Sequence, residues 1–225
     1  MPSRSDVMRV SPEDVADAAA VLARAFQDDP LESYAFPDEE ERRRLSPVHF
    51  RAVLEYGLQF GTVNATAGTG AIVALPPGQT AVTPERAAQG GLTKLPDLIG
   101  AEAAGRFLGV LPAAEPMHHR YAPGPHWYVM ALGVSPDAQG EGHGRALLES
   151  IFDEADPSRL PVYLETTRAA NIAFYGHMGF AVVEQVRDPA SGLDIWGFLR
   201  PPREVAAPVE PARRPRPRRR YQGKR

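Results

Sequence analysis

The sequence predicts one α/β domain over residues 6–202, a mixed sheet with helices on both faces. Three observations predict it. Short runs rich in β formers alternate with segments whose apolar residues recur at helical spacing. One apolar run, Trp127–Val134, stops at Ser135-Pro136-Asp137; glycines at 140, 142 and 144 follow, then an amphipathic segment from Arg145. That is strand, turn, glycine-rich loop and helix start. Finally, 225 residues with 43% hydrophobic content suffice for one sizeable core.

The elements follow in order. Ser11 can cap a first helix, Pro12 suits its first position, and Glu13 and Asp14 favour the positive end of its dipole. Val15, Ala18, Ala19, Leu22 and Phe26 line one face, and Asp28-Asp29-Pro30 ends it. The acidic-then-basic stretch 38–44 reads as a solvated helical turn with i,i+4 pairs. Ser46-Pro47 repeats the start signal for a second helix with Val53, Tyr56 and Phe60 on one face. Strands at 62–65 and 71–75, joined by Ala67-Gly68-Thr69-Gly70, form a hairpin closed by Pro76-Pro77-Gly78. Residues 84–116 are rich in Ala, Gly and Pro and hold one or two helices (Leu95, Leu98, Ile99, Ala103, Phe107, Leu111).

Beyond the glycine loop, Ala146, Leu147, Ile151 and Ala155 line a helix face up to Asp156-Pro157. Residues 161–166 (PVYLET) form a strand, and 171–178 a short helix with Gly179 as its C-cap. Strands at 181–186 and 194–199 close the domain, and no internal repeat is present.

Composition excludes several classes. No apolar run approaches the ~20 residues that span a bilayer. The N-terminus lacks the apolar stretch of a signal peptide, so the expectation is a cytoplasmic protein without a membrane partner. Without cysteine there is no disulfide, thiolate nucleophile or Cys-ligated zinc, and no histidine pair shares metal-site spacing with a carboxylate, so no metal is expected. Residues 212–225 hold eight of the 25 Lys+Arg and no acid, which leaves 17 against 28 over 1–211, a formal −11. The Pro/Arg-rich tail, 203–225, cannot bury enough apolar surface to order alone. A solvated tail is the simpler reading, weak nucleic-acid binding the rival one.

The glycine loop aims backbone N–H groups and a helix dipole at one point, a nest for phosphate. The dinucleotide fingerprint needs glycine at 145 and a Walker loop needs Gly-Lys at 145–146; Arg145-Ala146 is neither. What stands here is Gln139-Gly140-Glu141-Gly142-His143-Gly144, a Q-x-x-G-x-G pattern, with Tyr163-Leu164-Glu165-Thr166-Thr167, Asn171, Phe174-Tyr175 and Gly179-Phe180 downstream. This order resembles the GNAT (Gcn5-related) N-acetyltransferases. With His126-Trp127-Tyr128 and Leu132-Gly133-Val134-Ser135-Pro136 it is most similar to the branch containing puromycin N-acetyltransferase. The resemblance is dense over 126–199, thinner over 6–78, and absent over 84–122, a family-variable helical connector, and over the tail.

The resemblance implies a mostly antiparallel sheet whose central strand pair splays, with acetyl-CoA as co-substrate. The strand Leu132-Gly133-Val134 would pair with the pantetheine arm through Leu132 and Val134. Backbone N–H groups from Gln139 through Gly140, Glu141, Gly142, His143 and Gly144 to Arg145 would hold the pyrophosphate. Asn171 stands where the family contacts the cofactor, or caps its own helix.

Acyl transfer to an amine needs a neutral amine, a held oxyanion and an acid for the thiolate. A thiol near ~8.5 needs only a weak acid, and a phenol near ~10 serves at the sulfur. Tyr175 occupies the family position for that acid, against a reading as core beside Phe174. The oxyanion would fall to the Val134 N–H. Glu165 is either the base, through water, or a structural or substrate-charge contact. His126 is a lesser candidate for the base, His118-His119 and Arg120 read as surface or lid, and His143 as solvent-facing. The expected activity is acetylation of a primary amine of a small molecule by direct attack in a ternary complex, in the manner of an antibiotic-resistance enzyme. Protein or peptide acetylation is the alternative. A monomer or a homodimer would serve either.

Overall fold

The computed structural model describes residues 6–203, and its centre is a seven-stranded sheet. The strands are β1 (Val7–Arg9), β2 (Thr62–Thr66), β3 (Gly70–Leu75), β4 (Trp127–Val134), β5 (Val162–Thr166), β6 (Ala181–Arg187) and β7 (Asp194–Arg200). Their order is β1-β2-β3-β4-β5-β7-β6, and every adjacent pair is antiparallel except β4–β5. That parallel pairing covers only Trp127–Val129 against Val162–Leu164. Beyond it, Ala131–Val134 pairs with β3 alone, and the β4 edge toward β5 is free. This is the splayed central pair that the family resemblance implies.

A bulge sits at the point where the strands part. Val73 pairs with Ala131 and Ala74 with Val129, so Met130 is an extra residue on β4. An extra residue shifts the period-2 alternation by one. Trp127 and Val129 therefore face one side of the sheet, Met130 and Ala131 the other, and Leu132 and Val134 the first side again.

Helices cover both faces. On one, α1 (Val15–Ala25) and α3 (Glu39–Phe60) bring Ala18, Leu22, Phe50 and Leu54 onto Val63, Ala71, Val73 and Ala131. On the other, Leu147, Leu148, Ile151 and Phe152 of α7 (His143–Ala155) and Tyr175 of α8 (Asn171–His177) meet Ile72, Val129, Leu164 and Phe198. Burying a leucine contributes about 2 kcal/mol, so the fully buried Leu22, Leu147 and Leu148 fix α1 and α7 firmly to the sheet. No helix among the described residues is long and apolar enough to cross a membrane.

The first half departs from the sequence reading in ways that matter for the site. Residues 12–14 form a turn and α1 begins at Val15; Ser11 Oγ instead donates to the Asp14 carboxylate at 2.6 Å. Helix α1 ends at Ala25, before Asp28-Asp29-Pro30, which instead starts α2 (Pro30–Ala35), whose Leu31 N–H is accepted by Asp29 Oδ1 at 2.9 Å. Helix α3 starts at Glu39, capped by Asp38 at 2.7 Å, and runs straight through Ser46-Pro47. Nor is 38–44 all solvated: Arg42 is buried and donates to the carbonyls of Gln27 and Phe36.

The connector holds α4 (Pro84–Gln89), α5 (Leu95–Ile99) and α6 (Ala101–Tyr121), one helix more than the sequence suggested. Helix α6 accommodates Pro112 and Pro116 because both lie on its exposed side, where carbonyls deprived of a donor can bond water. Its inner side packs Val110 and Met117 against Ile195 of β7. Apart from Arg203, the expected tail lies outside the described residues.

Candidate active site

The split between β4 and β5 opens into two adjoining cavities. The larger, of about 450 Å³, runs along Leu132, Gly133 and Val134 into the loop from Gln139 to Arg145 and out to Asn171 and Tyr175. Local conformation explains the glycines. Gly140 (φ +82°) and Gly142 (φ +101°) occupy the left-handed region, which L side chains enter only with strain. Gly142 stands at the N-cap of α7, so the first N–H groups of that helix open into the cavity with no side chain capping them. At Gly144 an added Cβ would come within 3.1 Å of the Phe174 ring; at Gly133 it would fall 2.8–2.9 Å from side-chain carbons of Ala25, Leu22 and Phe26. Glycine there lets β4 lie directly against α1. Gln139 Nε2 donates to the Val134 carbonyl at 3.1 Å and closes the turn.

A free strand edge leading to an uncapped helix N-terminus fits a long polar arm that ends in phosphates. Asn171 is the first residue of α8, after Ala170 in the N-cap place, so its side chain caps nothing. Its Nδ2 donates to Thr166 Oγ1 at 3.1 Å, at the end of β5. His143 is not solvent-facing: its side chain is 14% exposed and its Nδ1 meets Thr69 Oγ1 at 3.1 Å, pinning the loop to the β2–β3 hairpin.

The second cavity, of about 190 Å³, shares Leu132, Asn171 and Tyr175 with the first and continues to Glu165. Phe107, Val110, Leu111 and Ala114 of α6 and Leu31 of α2 wall it; Asp29 and Glu165 are its two acidic residues. Tyr175 stands between the cavities. Its ring packs on Phe174, Phe180 and Phe198, and burial together with the Asp29 charge pushes its phenol well above the ordinary tyrosine range. Asp29 is 7% exposed; burial raises its pKa against the opposing hydrogen bonds from Leu31 N–H and Thr167 Oγ1.

Glu165 is held among aromatic rings. Burial pushes its carboxyl up to about 7, and the neighbouring hydroxyls of Tyr128 and Tyr163 pull weakly the other way. The buried Tyr163 hydroxyl completes no hydrogen bond of its own, the kind of atom that a ligand or water satisfies. His118 lies over this group, stacked on Tyr163 with centroids 4.4 Å apart and tilted against Tyr128 at 4.7 Å. Its Nδ1 is 3.7 Å from Glu165 Oε1 and its Nε2 is 2.8 Å from Nε2 of His126. His118 is thus neither surface nor lid, whereas its neighbours His119 and Arg120 are exposed.

Sequence reasoning missed Asp29, His118, Tyr128 and Tyr163 as neighbours of Glu165 and Tyr175. Asp29-Pro30 was readable as a cap and first-turn proline. Extending the apolar face Phe107–Leu111 by helical steps through Ala114 reaches His118, but the two prolines broke the pattern.

The acetyltransferase (GNAT) family model matches residues 76–180. Over 185 residues the chain is 29% identical to an uncharacterized N-acetyltransferase of Schizosaccharomyces pombe, covering 79% of this chain and 75% of that protein. Among solved structures, it resembles arylalkylamine N-acetyltransferase 2 from Aedes aegypti with a TM-score of 0.59 and 14% identity, covering 87% of this chain and 97% of that one. The polyamine N-acetyltransferase of Drosophila melanogaster gives a TM-score of 0.58 and 21% identity over 87% and 98%. The fold and the split sheet define an acyltransferase domain. Residues 76–180 match the GNAT family, and the domain they form is that of an N-acetyltransferase that uses acetyl-CoA.

Proposed function

We propose that this chain acetylates a primary amine of a small molecule, by direct attack while both substrates are bound. The observation that carries the reading is the second cavity. At about 190 Å³, walled by α6 and α2 and with acidic residues only at Asp29 and Glu165, it suits a compact cationic amine with an apolar body. A peptide acceptor would call for an open groove where α6 stands.

The larger cavity holds the donor: the free edge of β4 at Leu132–Val134 takes the arm, the loop from Gln139 to Arg145 takes the phosphates, and Asn171 adds an amide at the arm's side. Acetyl-CoA supplies the thioester. Glu165 takes the proton of the arriving ammonium. An ordinary carboxyl lies ~6 pKa units below an alkylamine, a gap of about 8 kcal/mol. At about 7, Glu165 reduces that gap to about 5 kcal/mol. Asp29 attracts the cation to the junction of the cavities. Tyr175 gives its proton to the departing sulfur; burial keeps the phenol protonated but makes it a weaker acid than an ordinary tyrosine, so the transfer depends on its placement at the sulfur.

Release of free thiol from acetyl-CoA, measured against a panel of compact monoamines, polyamines, peptides and puromycin, tests the reading. Puromycin is included because of the branch resemblance. The expected result is highest kcat/KM for a compact monoamine. Peptides as the preferred acceptors, or binding of acetyl-CoA without turnover of any amine, would overturn it.

A further inference from the structure

The proton count of the reaction carries an inference beyond Glu165. An alkylammonium enters with three N–H bonds and leaves as an amide with one. One of the two protons ends on the sulfur; the other must reach water. Glu165 lies beneath α6 with its side chain 13% exposed, and the polar groups next to it lead away from the cavity. The chain contains a route. His126 is itself buried, at 5% exposed, but its Nδ1 is 2.7 Å from the carbonyl of Gly124, a residue in an exposed turn, so Nδ1 carries the hydrogen and Nε2 accepts. His118 Nε2, 2.8 Å away, must then be the donor in that contact. This leaves the lone pair of His118 on Nδ1, facing Glu165 Oε1 at 3.7 Å, a gap that a small side-chain rotation or one water closes.

We propose that His118 and His126 relay the amine proton from Glu165 to solvent at Gly124, with His118 as a positioning residue that acts through Glu165. The inference rests on the acetyl-transfer reading above. In the step, the Glu165 O–H bond breaks as an N–H bond forms at His118 Nδ1. The His118 Nε2–H bond breaks as one forms at His126 Nε2, and the His126 Nδ1 proton passes to water. A half-turn of each ring restores the starting polarity. Neither ring holds a charge along the way, which matches a site where burial, His126 and His119 hold His118 down to about 4.

The groups around His118 are few. They are His119 on its own helix, His126 and Tyr128 along β4, and Tyr163 and Glu165 on β5. Tyr121 and, from β6, Glu184 act on Tyr163, and Glu184 is paired with Arg120.

Two measurements test the relay. Nitrogen-detected NMR of the free wild-type protein reads the tautomers without any turnover: His126 is expected as Nδ1–H and His118 as neutral Nε2–H through pH ~6–8. The opposite tautomer at either ring, or a charged His118, sinks the relay and leaves the acetyl-transfer reading intact. In the second, His118→Phe keeps the stacking ring and removes the relay. With any amine that wild type acetylates, kcat/KM should fall ~10–100-fold near pH 7 and recover to within ~3-fold near pH 9.5, where more of the amine arrives neutral. Binding of acetyl-CoA should be unchanged. An undiminished rate, or a loss equal at both pH values, overturns the relay. If His118→Phe does not fold, His118→Gln takes its place with the same expected profile.

Discussion

Replacing Glu165 by glutamine should make the protein less active and more stable, each with its own pH signature. The carboxyl is displaced from 4.5 to about 7 by burial, so folding favours its neutral form. For an acid raised in this way, the folded state binds more protons than the unfolded one between those values. Stability therefore falls as pH rises from about 4.5 to about 7, and the penalty is fully present above that. That displacement is worth about 3 kcal/mol. Glutamine keeps the shape and a carbonyl oxygen beside the Tyr128 and Tyr163 rings but never ionises. Thermal unfolding of Glu165→Gln should therefore show a Tm about 5–10 °C above wild type near pH 8, shrinking to nothing near pH 4. Activity moves the other way. Wild-type kcat/KM should show an acid limb with its midpoint near pH 7, where Glu165 takes up its proton. In the variant the loss near pH 7 should be ~100-fold or more, with a rise continuing toward the amine's own pKa. A Tm lowered at both pH values, or an acid limb that survives the substitution, would refute the account of Glu165 as a buried base.

Three further outcomes follow from the geometry. Tyr175→Phe should lower kcat ~10–100-fold while leaving acetyl-CoA affinity and Tm near wild type, because the ring packing on Phe180 and Phe198 is kept; unchanged turnover by thiol release would remove it as the acid. Gly142→Ala places a side chain at φ +101° and should cost ~1–2 kcal/mol in urea unfolding and weaken acetyl-CoA binding by calorimetry. A variant that binds as tightly as wild type would count against the loop as the phosphate site. Gly133→Val drives its side chain into Leu22, Ala25 and Phe26 and should destabilise by ~1–3 kcal/mol, read as a lower urea midpoint; an unshifted midpoint would mean that β4 and α1 are not in firm contact.

The second half of the domain was legible because its signals are local. The glycine loop, the run 161–166 and the Gly179 cap each sit inside the element that they announce. The first half was misread where the signal of one residue fits two roles. Asp29 resembles the end of one helix but caps the start of the next, and Ser46 resembles a cap while its hydroxyl is buried on Glu32 of α2. Of the site, the loop stood out by its glycine spacing, whereas Tyr175 and Asn171 were singled out only by the family resemblance. The cluster on Glu165 was not, since His118 arrives from a helix 47 positions earlier in the chain. Stacking on Tyr163 and the bond to His126 belong to the tertiary fold, and no periodicity encodes them.

The bulge at Met130 has a consequence for how the protein can change. Residues 128–134 of β4 are laid against only 70–75 of β3, seven against six. Delete one residue there and the count evens out: the side chains beyond the deletion trade layers, and the strand is no longer turned aside at the point where it leaves β5. Loops around the sheet can lengthen or shorten by degrees, but this strand tolerates only whole-number parity. Access for both reactants is thus written into the chain as an odd number.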